Sequence, residues 1–502
     1  MDCCFWEGIW CDHDTGHVIS LDLSSSYLLA SIGMLSSLEV LLAGNCNFSG
    51  LLPPSLGNLT NLQMLTLDNN SFTGTVEIDT FLELKYLKDL VLSENNFSLL
   101  IKTRKSTNVI SAKLETLGLD LSHNNLNGMI PQCIGNFSNS LVVLNLQRNN
   151  FKGPIPPTWV AGNNLKVIQL GENYLKGKLP RSLANCRMLE FLDLGNNLIK
   201  DTFPYSLGTL PRLKILILHF NKFCGAISVL KLDSLFPNLQ IIDLSHNGFV
   251  GLLPTKFFNV WSAMADVDKE NTKYLHAYDN YDLNGFNRFA SYPYSITITN
   301  KGVKMEYDKV LEIFSAIDLS CNKFEGEIPD VVGSLKGPQL LNLSNNILVG
   351  PIPPTLGNLK NLEALDLSVN KLTGGIPMQL TQLNFLEVFN VSHNHLTGPI
   401  PQGKQFDTFD NSSFDGNFGL CGLPLSSKCD NLKASSPPSS TSKGNGDSGL
   451  PAEIGWKIVA LGYGCGFLVG VVIGNIVFAR THEWLMRTYR IRLSRGRRMR
   501  RF

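Results

Sequence analysis

Three histidines, His123, His246 and His393, are the residues whose type and spacing could support acid–base chemistry. Each stands directly before an asparagine that recurs along the chain, and this shared position indicates exposed strand ends rather than a catalytic cluster. The sequence contains no H-E-x-x-H, no G-x-S-x-G and no glycine loop before a helix, which are the patterns of zinc proteases, serine hydrolases and nucleotide-binding proteins. We therefore expect no enzyme activity and no cofactor.

The chain has eleven cysteines that could support thiol or metal chemistry. Those inside the repeats described below lack C-x-x-C or Cys/His spacing, so we expect them to be small buried hydrophobic residues. Five others, in the N-terminal part and after the last repeat, suggest disulfide-closed caps and an oxidising compartment. The first set is Cys46, Cys133, Cys186, Cys224 and Cys321; the second is Cys3, Cys4, Cys11, Cys421 and Cys429.

The elements that position these residues are best seen in residues 361–377, NLEALDLSVNKLTGGIP. Leu365 and Leu367 alternate as in a strand, which sends both leucines to one face and the residue between them to the other. Asn370 ends the strand, where its side chain can bond backbone groups that would otherwise be buried unpaired. Gly374 suits a tight bend, and Pro377 is expected to stop a helix from starting there.

This register recurs along most of the chain, mostly in steps of about 24 residues, which is the leucine-rich-repeat period. Each copy adds one strand to a parallel sheet on the inner wall of a curved solenoid. The predicted fold is therefore an α/β solenoid, a leucine-rich-repeat superhelix with a parallel inner sheet, followed by a single transmembrane helix. The position of Asn370 is also held by Cys46, Asn70, Asn95, Asn124, Asn149, Asn173, Asn197, Asn221, Asn247, Asn322, Asn346 and Asn394.

The repeat is interrupted between Asn247 and Asn322, an interval of about three repeat lengths. Residues 255–313 form an aromatic-rich insert, which we call the island. Insertions in solenoids often lie at the binding face, although these aromatic residues could equally pack the insert on the coil. The predicted order is a cap (1–17), repeats (18–254), the island (255–313), repeats (314–401), a second cap (402–430), a flexible stalk (431–453), a transmembrane helix (454–479) and a basic cytoplasmic tail (480–502).

The membrane helix is predicted from an uncharged stretch, residues 458–479, which at ~1.5 Å per residue is long enough to cross a bilayer. Nine arginines and one glutamate follow, and this basic tail places the C-terminus in the cytosol and the repeats outside. A helix stripe of small residues allows close approach of a second membrane helix. These residues are Gly462, Gly466, Gly470 and Gly474.

Side chains beside the repeat leucines face the concave wall and are candidates for ligand contact. Their mixture of charged and aromatic side chains suits a peptide or a glycan, although each could simply be a solvated polar residue. The candidates are Arg148, Lys166, Gln169, Glu172, Phe191, Asp193, His219 and Phe220. Eight N-x-S/T sequons fit a secreted, glycosylated surface, at Asn47, Asn58, Asn69, Asn96, Asn136, Asn342, Asn390 and Asn411.

The repeat form, the N-terminal DCCFWEGIWC, the insert ending KGVKMEYDKVLEIF and the closing PQGKQFDTFDNSSFDGNFGLCGLPL together resemble the plant receptor-like proteins, and most closely the Cf-type disease-resistance receptors. The resemblance covers nearly the whole chain. It implies a kinase-lacking receptor at the plasma membrane, single-pass with its repeats outside, that senses a pathogen- or wall-derived ligand and signals in plant defence through a partner receptor kinase. It also implies an island that helps to bind ligand or co-receptor, and pairing of Cys4 with Cys11 and of Cys421 with Cys429.

The sequence departs from this family pattern at its N-terminus, where a signal peptide and a longer cap are expected. Other functions therefore stay open: a developmental peptide co-receptor, a truncated nonfunctional or decoy form, and a secreted inhibitor of cell-wall enzymes. The predicted span argues against the secreted inhibitor, and the basic residues lie in a tail rather than a groove, which argues against nucleic acid.

Overall fold

The computed structural model describes residues 9–12, 15–22, 30–77, 80–81, 83–101, 117–137, 141–227, 235–265, 273–277 and 292–429. They belong to the first of two compact units, Met1–Asp430 and Asn431–Phe502. The predicted stalk, membrane helix and tail lie outside the described residues, as do Cys3, Cys4 and the four stripe glycines. Across the ranges that the structure describes, no helix has the length and apolar character needed to cross a bilayer.

A sheet of fifteen strands, the inner sheet, forms the concave wall. All its pairings are parallel except the first, in which Ile9–Cys11 runs antiparallel to Val18–Asp22. From Leu141–Asn145 onward each strand pairs with the next without a shift, as where Val167 pairs with Phe191 and Phe191 with Ile215, whereas the register shifts at Leu141 and Val143 in the pairing with Leu117–Asp120. The later strands are Val40–Leu42, Met64–Thr66, Asp89–Val91, Leu117–Asp120, Leu141–Asn145, Val167–Gln169, Phe191–Asp193, Ile215–Ile217, Ile241–Asp243, Ala316–Asp318, Leu340–Asn342, Ala364–Asp366 and Val388–Asn390.

The recurring asparagines bond successive coils to one another. The side-chain amide of Asn370 donates to the carbonyl oxygens of Leu343, Leu367 and Ser368 at 3.0–3.1 Å, and its oxygen accepts from the backbone N–H of Leu348. The asparagines of the other repeats make the same pattern, for example Asn173. Backbone groups that are buried where each coil turns are thereby satisfied.

The turn after each asparagine leads into two seven-stranded lateral sheets. One contains Ser49–Gly50, Ser71–Glu77, Asn96–Ile101, Asn127–Met129, Asn150–Gly153, Tyr174–Gly177 and Leu198–Ile199; the other contains Cys224–Ala226, Gly248–Leu252, Lys323–Glu327, Ile347–Pro351, Lys371–Gly374, His395–Pro399 and Gly419–Cys421. Gly374 has φ of 76°, in the region that favours glycine.

Short 3₁₀ helices form the back layer, and they correct the expectation about Pro377. A helix begins immediately after that proline, at Met378, because proline in extended backbone can precede a helix without supplying an N–H to it. The back-layer 3₁₀ helices are Ala30–Met34, Pro54–Asn58, Gln132–Phe137, Arg181–Asn185, Tyr205–Thr209, Asp330–Ser334, Pro354–Asn358 and Met378–Gln382. Leucine, isoleucine and phenylalanine side chains from all three layers form one continuous core.

The C-terminal cap contains a coil ending that the repeat pattern missed. Asn417 bonds as the repeat asparagines do, accepting from Leu396 N–H and donating to the carbonyl of Val391. Its spacing from Asn394, close to one repeat, was the signal available in the sequence. Two 3₁₀ helices, Lys404–Thr408 and Asn411–Ser413, precede it, and Phe389, Phe406, Phe409 and Phe414 close the end of the core.

The insert does not interrupt the inner sheet, because Ile241–Asp243 pairs directly with Ala316–Asp318. Its first part belongs to the solenoid. The α-helices Thr255–Val260 and Ser262–Ala265 take the place of a back-layer helix, and their large apolar side chains lie in the main core. These side chains are Phe257, Phe258, Trp261 and Met264. The predicted start of the island at residue 255 is therefore corrected to about residue 266, because aromatic content alone does not separate core from insert.

Candidate ligand-binding surface

The described part of the island centres on a hairpin, Ile296–Asn300 paired antiparallel with Val303–Tyr307. The two residues of its turn, Lys301 and Gly302, both have positive φ, 54° and 74°, as required in a type I′ turn. Ile296, Ile298 and Asn300 alternate inward and are buried. Two isolated bridges, Tyr274 to Leu311 and His276 to Pro293, connect the rest of the island to its base.

The buried side of the hairpin packs on the concave face of the inner sheet. A second hydrophobic cluster, separate from the solenoid core, joins island residues to one column of sheet residues. The island supplies Leu275, Ala277, Tyr294, Ile296, Ile298 and Val310; the sheet supplies mainly Val143, Val167, Phe191, Ile215, Ile241, Ala316, Leu340 and Ala364. This burial holds the island on the sheet, since apolar contact area is the main favourable contribution to such packing.

Tyr292 connects three neighbouring strands through its hydroxyl group. The hydroxyl donates to Gln169 Oε1 at 2.9 Å, accepts from Asn145 Nδ2 at 2.9 Å and lies 3.3 Å from Asp120 Oδ2. Burial raises the pKa of Asp120, while hydrogen bonds from Ser122, Asn145 and Tyr292 lower it. Because this contact consists of hydrogen bonds to the tyrosine hydroxyl, a side chain without that hydroxyl could not form it.

Tyr294 is the aromatic anchor of the island. Its ring packs against Phe191, and its hydroxyl donates to Glu190 Oε2 at 3.2 Å. Burial, followed by the charge of Glu190, raises the pKa of Tyr294, so its hydroxyl stays protonated. Glu190 also pairs with Lys214 at 3.0 Å. The buried carboxylate of Glu190 therefore has a hydrogen-bond donor in Tyr294 and a counter-charge in Lys214.

Ion pairs hold the hairpin at both ends. Glu306 pairs with Arg148 at 3.0 Å, and Lys301 at the tip pairs with Glu363 at 3.3 Å and with Glu387. Of nine consecutive inner-sheet strands, Arg148 follows the first, Leu141–Asn145, while Glu363 and Glu387 directly precede the last two, Ala364–Asp366 and Val388–Asn390. The island thus extends across the strands from one group of repeats to the other.

Comparison with known proteins places this architecture in a family. A leucine-rich-repeat family model matches residues 139–199, and a second one matches 37–59, 117–137, 238–260, 338–359 and 361–383. Receptor-like protein 53 of Arabidopsis thaliana is 45% identical over 375 residues, which cover 74% of this chain and 37% of that protein. Receptor-like protein 33 of the same plant is 38% identical over 512 residues, covering 96% of this chain and 56% of that protein.

This chain belongs to the plant leucine-rich-repeat receptor-like proteins. They are a non-enzymatic ligand-binding family, which confirms that the chain is not an enzyme. The chain spans about half or less of the length of these two relatives. Among solved structures it is similar to the ectodomain of the Arabidopsis thaliana receptor kinase GASSHO1/SCHENGEN3 in complex with CASPARIAN STRIP INTEGRITY FACTOR 2, at 27% identity and a TM-score of 0.55, over 80% of this chain and 47% of that one. It is also similar to a TDR receptor, at 29% identity and a TM-score of 0.54, over 78% of this chain and 66% of that one.

In this receptor-like protein the island contacts five of the eight residues that were predicted to contact a ligand. Phe191 and Gln169 are fully buried, and Lys166 Nζ donates to the carbonyl oxygen of Ala277 at 2.6 Å. Arg148 pairs with Glu306, and Glu172 lies 3.8 Å from Lys304. The expectation that Lys166, Gln169 and Phe191 face a ligand is corrected, because a distant segment of the same chain covers them. Arg148 and Glu172 stay partly exposed beyond the strand ends, where they pair with side chains of the hairpin.

The other three candidates are Asp193, which pairs in register with Gln169, and His219 and Phe220, which follow the strand Ile215–Ile217. His219 Nδ1 is 2.7 Å from Asp243 Oδ2, and Asn196 Nδ2 is 3.0 Å from His219 Nε2. Burial lowers the pKa of His219, but the charge of Asp243 and its hydrogen bond outweigh burial and raise it to about 9. Burial raises the pKa of Asp193. Phe220 alone is open to solvent, and its ring stacks on His246 with centroids 3.8 Å apart.

Phe220 and His246 belong to a row of thirteen left-handed residues, one before each repeat asparagine or its equivalent, which we call the strand-end ridge. Each has φ between 47° and 58°. His123 and His393 also lie on it, so the three histidines are strand-end residues, as the repeat position predicts, although His123 is half-buried. The ridge is Asn45, Asn69, Glu94, His123, Arg148, Glu172, Asn196, Phe220, His246, Cys321, Asn345, Val369 and His393.

The predicted modification sites differ in their surroundings. Cys421 and Cys429 form a disulfide, and Cys11 is also disulfide-bonded, whereas its implied partner Cys4 lies outside the described residues. Cys186, Cys224 and Cys321 are free thiols, of which Cys186 is buried as expected and Cys224 is exposed, contrary to expectation. Cys46 is half-buried. Asn390 is half-buried, and Asn47, Asn58, Asn69, Asn96 and Asn411 are exposed, whereas the side chain of Asn136 lies outside the part that the structure describes.

The fold buries the side chain of one sequon asparagine, Asn342. It is buried on the inner sheet, where its Nδ2 donates to Asp318 Oδ2 at 3.1 Å. Its Oδ1 accepts from both the N–H and the hydroxyl of Ser344. A glycan on Nδ2 would replace the bond to Asp318, so the expectation of glycosylation at this site is corrected.

Proposed function

We propose that this chain is the recognition part of a cell-surface receptor-like protein that binds an extracellular peptide, protein or glycan and signals in plant defence through a partner receptor kinase. The single observation that carries the proposal is the island seated across nine strands of the inner sheet. With the central column covered, the surface available to a ligand consists of the outer side of the hairpin and the strand-end ridge. The described residues form no group of His, Cys, Asp or Glu able to hold a metal ion.

The proposal includes a membrane helix at 454–479, with the repeats outside the plasma membrane and the basic tail, 480–502, in the cytosol. The length of residues 458–479 and their lack of charged side chains support it. In this proposal the signal passes to another chain. The stripe glycines give a route, since small residues let two membrane helices pack closely.

The test is a response assay in leaves that express the chain behind a secretion signal. The probe is the culture filtrate of a fungal leaf pathogen, the readout is the burst of reactive oxygen, and surface biotinylation measures exposure of the repeats. We expect a response that a variant lacking residues 266–312 loses while its solenoid stays folded. The deletion starts after Ala265 because the preceding helices lie in the core. An unchanged response in this variant, or a response equal to that of leaves without the chain, would refute the proposal.

A further inference from the structure

The strand-end ridge contains two residues that its backbone geometry disfavours. Phe220 has φ of 47° and Val369 has φ of 53°. A left-handed conformation costs about 1–2 kcal/mol for an ordinary L-residue, and a bulky or β-branched residue there is an outlier. Asparagine tolerates this conformation, and it holds the same place in four other repeats, at Asn45, Asn69, Asn196 and Asn345.

Both residues are also apolar and open to solvent. Phe220 and Val369 are each 46% exposed, so neither recovers the cost of its conformation by burial in the fold. The ring of Phe220 is held in place by its nearly parallel stack on His246, at an interplanar angle of 11°. Strained, exposed, apolar residues at positions where the fold accepts asparagine indicate selection for something other than folding.

The ridge changes character at this place. Glu94, Arg148 and Glu172 make its first half charged, whereas the stretch from Asn196 to His393 contains no Asp, Glu, Lys or Arg. Between Phe220 and Val369 lie His246, Cys321 and Asn345. An occupant of this stretch therefore meets two apolar contacts separated by uncharged polar side chains.

We propose that this stretch of the ridge binds an extended peptide that carries a ring-bearing residue, proline or an aromatic, at Phe220 and an aliphatic residue at Val369. The inference deepens the proposed receptor function and rests on it. Four inter-strand steps separate the two positions, or about 19 Å at ~4.8 Å per step. An extended chain covers that distance in about six residues at ~3.3 Å each. An even spacing places both side chains on the same face of the peptide. The peptide residues between these two are uncharged, because they face the uncharged polar side chains of the ridge.

The experiment uses the full chain, immobilised in detergent, and a phage-displayed library of random dodecapeptides. We expect enrichment of peptides with a ring residue and an aliphatic residue about six positions apart. A synthetic enriched peptide should bind Phe220→Asn and Val369→Asn about tenfold more weakly than the unaltered chain, the loss typical of a buried contact. Because asparagine suits the left-handed conformation, both variants should melt no lower than the unaltered chain.

The matched control is Phe385→Asn, which removes an equally apolar ring, 61% exposed, from outside the ridge. It should leave the affinity unchanged. Peptides that bind the ridge variants as well as the unaltered chain would overturn the ridge as the site but leave the receptor proposal standing. A library that yields no peptide of this pattern would overturn the assignment of such a peptide as the occupant. Binding to an array of neutral oligosaccharides that both ridge variants abolish would also overturn it and point to a glycan ligand instead.

Discussion

Tyr294 of the island and Phe191 of the inner sheet are both fully buried, with their ring centroids 5.5 Å apart. One side chain was a candidate for ligand contact, and the other lies in a segment that interrupts the repeats. Their contact shows that the island closes over the concave wall. In the proposed receptor function, a ligand therefore binds the outer side of the hairpin and the strand-end ridge, and not the floor beneath the island.

Replacing Tyr294 with alanine should release the island from the sheet. Truncating a buried aromatic residue costs about 3–5 kcal/mol, and the loss falls on the second hydrophobic cluster rather than on the solenoid core. Hydrogen exchange over residues 296–307 should accelerate, and proteolysis should cleave the island first. Tyr274→Ala is the control, because that island tyrosine is largely exposed. Equal protection of the hairpin in both variants would contradict an anchoring role for Tyr294.

Lys301→Asn should separate the turn from its ion pairs. Asparagine followed by glycine suits the type I′ turn, but it removes the contacts with Glu363 and Glu387. Since these side chains are partly exposed, we expect an effect of at most about 1 kcal/mol. Added salt should accelerate hydrogen exchange at the hairpin tip of the unaltered chain and change the variant less. An identical salt response in the two proteins would show that the ion pairs contribute nothing.

Stability should fall as pH rises from about 5 to about 9. Burial, followed by the charge of Asp243, raises the pKa of Asp318 from 3.8 to about 8, so its ionisation in the unfolded chain disfavours folding progressively across that interval. The pKa of His219 is also raised, from 6.5 to about 9. Its stabilising charge is complete below pH 6.5 and is lost as pH rises through 9. The lowered pKa of Asp243 acts only below its ordinary value of 3.8.

Thermal unfolding across this pH range measures the effect. Asp318→Asn should flatten the acidic part of the profile, because asparagine occupies the equivalent strand position at Asn342 and Asn390. His219→Gln should flatten the alkaline part. A melting temperature that rises with pH in the unaltered chain would contradict the assignment.

Asn342 should carry no glycan when the protein is secreted by a plant cell. Its amide is committed to Asp318 and Ser344 in the inner sheet, whereas Asn58 and Asn411 are exposed. Mass spectrometry of glycopeptides should find the latter two occupied and residue 342 bare. Substantial occupancy of Asn342 in folded protein would show that this part of the sheet can open.

Association with a receptor kinase should depend on the predicted membrane helix. Replacing Gly466 and Gly470 with leucine keeps the stretch apolar but pushes a partner helix away. We expect membrane insertion and ligand binding to survive, and co-precipitation with a single-span receptor kinase to fall. Undiminished association of the double variant would leave the glycine stripe without a role.

The sequence by itself determined the solenoid and the course of its backbone. The interactions responsible are local or repeat every coil, as in the bonds from Asn370 to Leu367 within its own coil and to Leu343 in the preceding one. A fixed period therefore predicts strand, turn and register without knowledge of the rest of the chain. The same regularity predicted where the strands end. It did not predict which of the side chains at those ends stay exposed.

Only the tertiary structure decided which part of the concave wall faces solvent. Tyr292 reaches Asp120 across 172 residues, and Tyr294 reaches Glu190 across 104. No periodicity encodes such contacts, because the island does not repeat and its docking depends on the complementarity of two surfaces distant in the chain. For the same reason Phe257 and Trp261, which read as insert residues, belong to the core, while Phe220 and Val369 remain exposed on the ridge.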